Sequence, residues 1–179
     1  MADDDSWRER FPDLFAPGRW DWGPMDVQFT VDPPPNELIA NVHLVARSGG
    51  KIVISVSDLG WRLLPGGTRE PGETVEEMAA RELVEEAGAV LIGSLQPIGA
   101  HRAVSLRSAP FRPHLPFPVG YWLWAAADVT ITGPPTNPSD GEQIVDVLLL
   151  DPEEAVEFLA PDHPTGADIV RLAMAMDLV

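Results

Sequence analysis

Apolar residues fall in short runs and alternations broken by Gly, Pro and Asn, with helical spacing in only a few places. Residues 26–31 (DVQFTV) alternate as a strand, and Pro33-Pro34-Pro35 stops it, which predicts an edge strand. Residues 38–46 (LIANVHLVA) form a strongly apolar strand, Ser48-Gly49-Gly50 a turn, and residues 51–56 (KIVISV) the returning hairpin partner. A short strand is expected over 61–64, and β-structure again over 91–107, 119–129 and 144–150. Helical periodicity appears over 74–88, 152–159 and 165–178. Asp151 is the N-cap of the second of these helices, and Ile169, Leu172, Ala173 and Met176 share a face of the third. Strands, a helix, more strands and then helices predict an α/β fold with a mixed sheet covered by helices.

The loops are equally legible. Residues 108–118 (SAPFRPHLPFP) are too rich in Pro for regular structure, and 133–138 form a second such loop. Residues 1–35 read as an N-terminal arm. Trp7, Phe11, Leu14, Phe15, Trp20 and Trp22 make it too apolar for a solvated tail, so it should pack on the body or on a second subunit, which leaves a homodimer open.

Composition narrows the function. A chain of 179 residues with 45% hydrophobic and 22% charged residues is expected to form one domain, residues 1–179, with a proper core. No apolar run is long enough to span a membrane and the acidic N-terminus has no apolar stretch, so no membrane association and a cytoplasmic location are expected. With no cysteine there is no disulfide, thiolate metal site or thiol nucleophile. A net charge of −16 argues against long nucleic acids as partners, yet a metal can bridge an acidic site and a small anionic substrate.

The chemistry concentrates in residues 67–90, GTREPGETVEEMAARELVEEAGAV. Thr74 and Glu77 make a capping box, and Gly88 stands where the helix should end. Val75, Met78, Ala79, Leu83 and Ala87 form the buried stripe. At about 100° per residue, Glu82, Glu85 and Glu86 fall within one sector that overlaps it. Crowded, partly buried carboxylates are costly unless protonated or sharing a cation, and a hard divalent ion such as Mg²⁺ is the simplest such cation. Glu76 and Glu77 fit a plain solvated face.

This stretch resembles the signature of the Nudix hydrolases: Gly, five residues, Glu, seven residues, then Arg-Glu-U-x-Glu-Glu-x-Gly-U, where U is a bulky aliphatic. Gly67, Glu73, Arg81, Glu82, Leu83, Glu85, Glu86 and Gly88 match at the required spacing. Ala89 departs from it, with Val90 following. The lead-in Leu64-Pro65-Gly66-Gly67 is similar too, so the Nudix box spans residues 66–90 of a single Nudix hydrolase domain.

The resemblance implies an α/β/α sandwich with a mixed sheet. It also implies Mg²⁺-dependent hydrolysis of the pyrophosphate in a nucleoside diphosphate linked to another moiety, with Mn²⁺ as a substitute ion. ADP-ribose, another NDP-sugar or a (d)NTP-like compound would serve as substrate. Glu82, Glu85 and Glu86 match the family's metal-binding carboxylates, and Gly66 the residue whose carbonyl often completes the metal shell. Arg81 matches the arginine that pairs with the first box glutamate, here Glu73, in an orienting role. Gly67 and Gly72 are expected to let the loop turn tightly through φ > 0. The family's general base is either a box glutamate such as Glu85 or Glu86, or a distant loop acid. Glu142, ahead of Asp140 as a choice, resembles that loop acid. Arg62 holds a place where the family usually carries an aromatic, and counts among the substrate contacts.

A second pattern is independent of the family. From Ala87 to Ala127 there is no Asp or Glu, while His101, Arg102, Arg107, Arg112 and His114 all occur there, directly after seven acids between Glu70 and Glu86. Acids would hold metal while Arg102, Arg107 or Arg112 hold substrate phosphate or base. Phe111 and Phe117 would stack on a nucleobase or else anchor their loop. His43, alone in an apolar strand, reads as an interior residue.

Two other classes remain on the same fold. A non-catalytic nucleotide sensor is disfavoured by the intact Glu82, Glu85 and Glu86. An isomerase of isoprenoid diphosphates would usually need a Cys.

Overall fold

The computed structural model describes residues 4–138 and 143–179. The arm forms α1 (Asp4–Arg10), α2 (Pro12–Phe15), β1 (Gly18–Trp20) and β2 (Met25–Thr30). After a 3₁₀ turn at Asn36–Leu38 come β3 (Ile39–Ser48), β4 (Lys51–Ser57), β5 (Arg62–Leu63) and β6 (Gly66–Thr68). Then follow α3 (Val75–Ala87), β7 (Ala89–Ser105), β8 (Val119–Ile131), β9 (Ile144–Leu150), α4 (Pro152–Leu159) and α5 (Pro164–Ala175).

β3 and β8 are apolar on both faces because both faces are covered, as central strands require. They run parallel, with Val42 opposite Leu123 and Leu44 opposite Ala125. On one face Val42, Leu44, Ala46, Val53, Leu123 and Ala125 pack against Val75, Met78, Ala79, Leu83 and Ala87 of α3. On the other, Val45, Ile52, Ile54, Trp124 and Ala126 meet α4 and α5. The result is an α/β/α sandwich around a mixed sheet. Met78 and Leu83 are fully buried, and each contributes roughly 1.5–3 kcal/mol of transfer free energy.

The sheet runs β1-β2-β7-β8-β3-β4-β5, with β6 paired to β3 and β9 to β4. One expectation is corrected here and one is met only in part. β2 is not an edge strand: β7 lies on one side of it and β1, which the alternation did not reveal, on the other. β3 and β4 meet as a hairpin only beside their turn, through Arg47–Ile52 and Ser48–Lys51. Beyond that they diverge. β3 receives β6 along Asn41, Val42 and His43, and β4 receives β9 over most of its length. The divergence opens a place for the box loop at the centre of the sheet.

The arm packs on its own chain. Leu14 and Phe15 are buried in the α4/α5 core with Trp7 and Phe11 against them, and Phe15 meets Phe29 edge-on at 5.0 Å.

Candidate active site

The acids are set by both ends of α3. Thr74 accepts from the Glu77 backbone N–H at 3.2 Å, and Glu77 accepts from the Thr74 N–H at 2.8 Å, a reciprocal cap. At the other end Gly88 adopts φ 59°, where a Cβ would collide with the Gly133 carbonyl. Start, stop and apolar stripe together fix the rotation of the helix. That rotation turns Glu82 inward, leaving it 6% exposed.

Arg81 organises the carboxylates. Its Nε donates to Glu73 at 2.8 Å, and its Nη1 donates to Glu82 at 2.7 Å and to Glu85 at 3.0 Å. Its Nη2 donates to the Thr68 carbonyl at 3.0 Å and to Glu73 at 3.1 Å. Burial would raise the Glu73 carboxyl, but hydrogen bonds from Arg81 and the Glu70 backbone outweigh it and hold the group below the usual range. For Glu82 burial prevails over Arg81, and its pKa is raised. The bonds it donates to Glu73 push the Arg81 guanidinium further up, so it stays charged. Glu86 reaches the other way and accepts the Gly66 N–H at 2.9 Å, while its own carbonyl takes the Ser55 hydroxyl at 2.7 Å.

Two glycines allow this approach. A Cβ on Gly67 would collide with Glu82 Oε1 and stand 2.6 Å from its Cδ. One on Gly66 would collide with the Val42 carbonyl and stand 2.6 Å from His43 Cα. Gly72 has the expected positive φ of 79°, whereas Gly67 does not share it; Gly67 is needed for closeness, not for its dihedral.

The donor chemistry fits a hard divalent cation. Glu82 and Glu85 present oxygens that converge on one nitrogen, and the buried Glu82 is incompletely compensated by Arg81. Among the described residues no three His, Asp or Glu side chains already close on one point, because Arg81 stands between Glu82 and Glu85 and Glu86 turns to Gly66.

Of the four arginines proposed for substrate, only Arg107 lines a cavity next to the box. Arg62 turns to the opposite side of the sheet: it donates to the Phe158 carbonyl at 2.8 Å, lies 4.3 Å over the Phe158 ring and pairs with Asp162 at 3.2 Å. It clamps α4 and does not line the cavity beside the box. Arg112 also has a protein partner. It pairs with Glu70 at 2.8 Å, and with His114 on the Arg69 carbonyl at 2.8 Å it fastens the Pro-rich loop to the box loop. Arg102 follows from strand alternation. Ala103 and Ser105 face the cavity, so Arg102 points the other way, into a separate cleft with Arg8 and Asp32. Glu142 and Asp140 lie outside the described residues. The flank of their loop is tied to the box helix, where the Asn137 N–H donates to the Glu85 carbonyl at 3.1 Å.

The cavity itself, about 240 Å³, went unread in the sequence. Asn41, Thr68 and Trp122 contribute to it from three strands, and Trp22 from the arm. Asn41 donates to Thr68 Oγ1 at 2.9 Å, while the Thr68 carbonyl holds Arg81. One residue thus joins the cavity to the acids.

His43 is an interior residue, stacked 4.9 Å from Trp124 and 5.8 Å from Trp122. Burial, and then His163, lower its pKa to about 4; burial, and then His43, lower that of His101 to about 4. His101 Nδ1 accepts the Trp124 indole N–H at 2.9 Å, so protonation there would break the bond. The unfolded value lies near 6.5. The stabilisation from a neutral His101 is therefore complete above about pH 6.5 and is lost as pH falls towards 4, on the order of 3 kcal/mol. Glu82, with a raised pKa, acts in the opposite sense. Urea midpoints from pH 7 to 4 should fall for the wild type, and His101→Gln, which keeps an acceptor for Trp124, should flatten that slope. Parallel slopes would refute the account.

An α/β/α sandwich with this glycine-led acidic loop and helix at the centre of its sheet is the architecture of one widespread class of domains. The model of the NUDIX domain matches residues 38–173, and the chain belongs to the Nudix family. The arm lies outside that match. Among solved structures, the fold is similar to a mutant form of the Bacillus subtilis pyrophosphohydrolase BsRppH, with a TM-score of 0.57, 22% identity and coverage of 76% of this chain and 77% of that one. It is also similar to a NUDIX hydrolase from Nitrosomonas europaea, with a TM-score of 0.56, 17% identity and coverage of 75% and 87%. A MutT protein from Methanosarcina mazei Go1 aligns with a TM-score of 0.50, 17% identity and coverage of 76% and 94%. No curated protein matches the sequence.

Proposed function

We propose that the protein hydrolyses the pyrophosphate bond of a nucleoside diphosphate linked to a second group, an NDP-sugar such as ADP-ribose or a (d)NTP-like compound, with Mg²⁺ or Mn²⁺. The observation that carries this reading is the convergence of Glu82 and Glu85 on one part-buried point, with Glu86 of the same helix held at the Gly66 backbone. Glu82, Glu85, Glu86 and the Gly66 carbonyl would hold the ion, which when bound neutralises phosphate oxygens and makes its water acidic.

Water attacks one phosphorus as the bridging P–O bond breaks, and the proton of the water passes to a carboxylate. Glu85, the more exposed of the two acids on Arg81 Nη1 at 23% against 7% for Glu82, is the box candidate for that base, and Glu142 the loop candidate. Arg81 keeps its role as positioning residue by holding Glu73, Glu82 and Glu85 on one guanidinium.

Incubation with Mg²⁺ and a panel of nucleoside triphosphates, NDP-sugars and dinucleoside polyphosphates tests the reading. Release of a mononucleotide or of pyrophosphate from at least one compound is expected. Tight binding of one ligand with no turnover of any would replace it with a sensor.

A further inference from the structure

We infer that the N-terminal arm completes the substrate site: Trp22, with Trp122 and Phe111, forms an aromatic subsite that takes the nucleobase, and Arg107 meets the phosphate side of the same ligand. The inference rests on the hydrolase reading above and adds which part of the chain selects the substrate.

Three segments remote in sequence converge on the cavity. Trp22 comes from the turn between β1 and β2, Trp122 from β8, and Phe111 and Phe117 from the Pro-rich loop. Trp22 packs edge-on to Trp122 at 5.3 Å and stacks on Trp20 at 5.7 Å, which sets the orientation of its ring. Yet Trp22 remains 67% exposed and Phe111 69% exposed. Two large rings left in water beside one hollow mark a surface that a ligand covers. Aromatic walls favour a planar π-system, because stacking adds to area burial.

The polar groups agree with such an occupant. Among the described residues, no Asp or Glu lines the cavity. The Arg107 guanidinium lies 6.0 Å from the Phe111 ring and pairs with no carboxylate among the described residues, so it is available to an anion. The floor at Thr68 is one hydrogen bond from Arg81 and the acids. A ring in the cavity would leave its phosphates to run past Thr68 towards the box, in the order base, sugar, phosphate.

The arrangement is stiff enough to select. Arg112–Glu70 and His114–Arg69 bind the Pro-rich loop to the box loop, and pairing of β2 with β7 across Met25–Ser105 and Val27–Ala103 holds the arm. The loop is anchored by its charged residues, Arg112 and His114, which frees Phe111 for ligand.

Nucleoside monophosphates test this without turnover, since they carry no anhydride. Calorimetric titration of the Mg²⁺-loaded protein with AMP, GMP, CMP and UMP should show binding of at least one. Ribose 5-phosphate should bind at least tenfold more weakly. Trp22→Ala and Phe111→Ala should each weaken the nucleotide at least tenfold, with Trp22→Phe restoring most of it; both rings are exposed, and unchanged circular dichroism would exclude misfolding. On a hydrolysed nucleotide, the loss should lie mainly in KM. Equal binding of ribose 5-phosphate, or variants that bind and turn over like wild type, would overturn the subsite and leave the hydrolase reading intact. Ring-dependent binding with no hydrolysis of any anhydride would keep the subsite and remove the hydrolase.

Discussion

Glu82→Gln and Glu86→Gln should each lower kcat by at least roughly a hundredfold, about 3 kcal/mol of transition-state stabilisation, while leaving the fold intact. Both changes keep volume and remove only charge. Gln at 86 retains an amide oxygen for the Gly66 N–H, now 2.9 Å from the carboxylate. Gln at 82 leaves Arg81 with Glu73 at 2.8 Å, Glu85 at 3.0 Å and the Thr68 carbonyl at 3.0 Å, so no buried cation loses all its partners. Glu82 adds a diagnostic. Its pKa is raised by burial, so it stabilises the fold when protonated and that contribution is lost as pH rises through the raised value. At neutral pH a neutral side chain there escapes the cost, and Tm should stay level or rise as activity collapses. Melting curves and initial rates on one preparation check both halves. Near-wild-type kcat in either variant would sink the assignment of these acids to the metal.

The box was legible because its determinants are local. Thr74, Glu77 and Gly88 belong to one helix and its two caps, so a single stretch of sequence carries both its start and its stop. β3 and β8 were legible for a related reason, since burial on both faces writes a continuous apolar run. What escaped was decided by pairing across the sheet. Gly66 and Gly67 have little strand propensity, and Gly66–Thr68 become β6 because β3 parts from β4 and leaves an edge to fill. β1, three residues long, exists only as a partner of β2.

The arginines show the same limit in the site. An acid-free stretch reads as positive, but the carboxylates that neutralise it come from elsewhere. Glu70 reaches Arg112 from the box loop. Arg62, outside that stretch, is likewise met by Asp162 from beyond α4. Arg102 was separable in principle from Ala103 by alternation, once the strand's inner face was known. Trp22 was recognised as too apolar for a tail, yet nothing local could tell that its ring would stand beside Trp122, a hundred positions along the chain.

Gly67→Ala gives the second large effect, and its logic separates geometry from stability. The added Cβ would collide with Glu82 Oε1 and stand 2.6 Å from Cδ. The obstacle is the end of a side chain, which can yield, so the fold should survive with Tm lower by a few degrees. Glu82 cannot yield freely, since Arg81 holds it at 2.7 Å and it is almost fully buried. The carboxylate must move by on the order of 1 Å, and displacement of that size costs about a hundredfold in rate. Gly66→Ala provides the contrast. There the Cβ meets backbone, the Val42 carbonyl and His43 Cα, so β6 must part from β3 and stability should fall further than for Gly67→Ala. A double-mutant cycle then isolates the cause. If Gly67 matters only by making room for Glu82, Gly67→Ala should cost little more in kcat once Glu82 is already Gln, because that carboxylate no longer contributes. Additive losses would mean that the alanine distorts the loop itself, and Gly67 would then be a residue of the fold and not of the acid site.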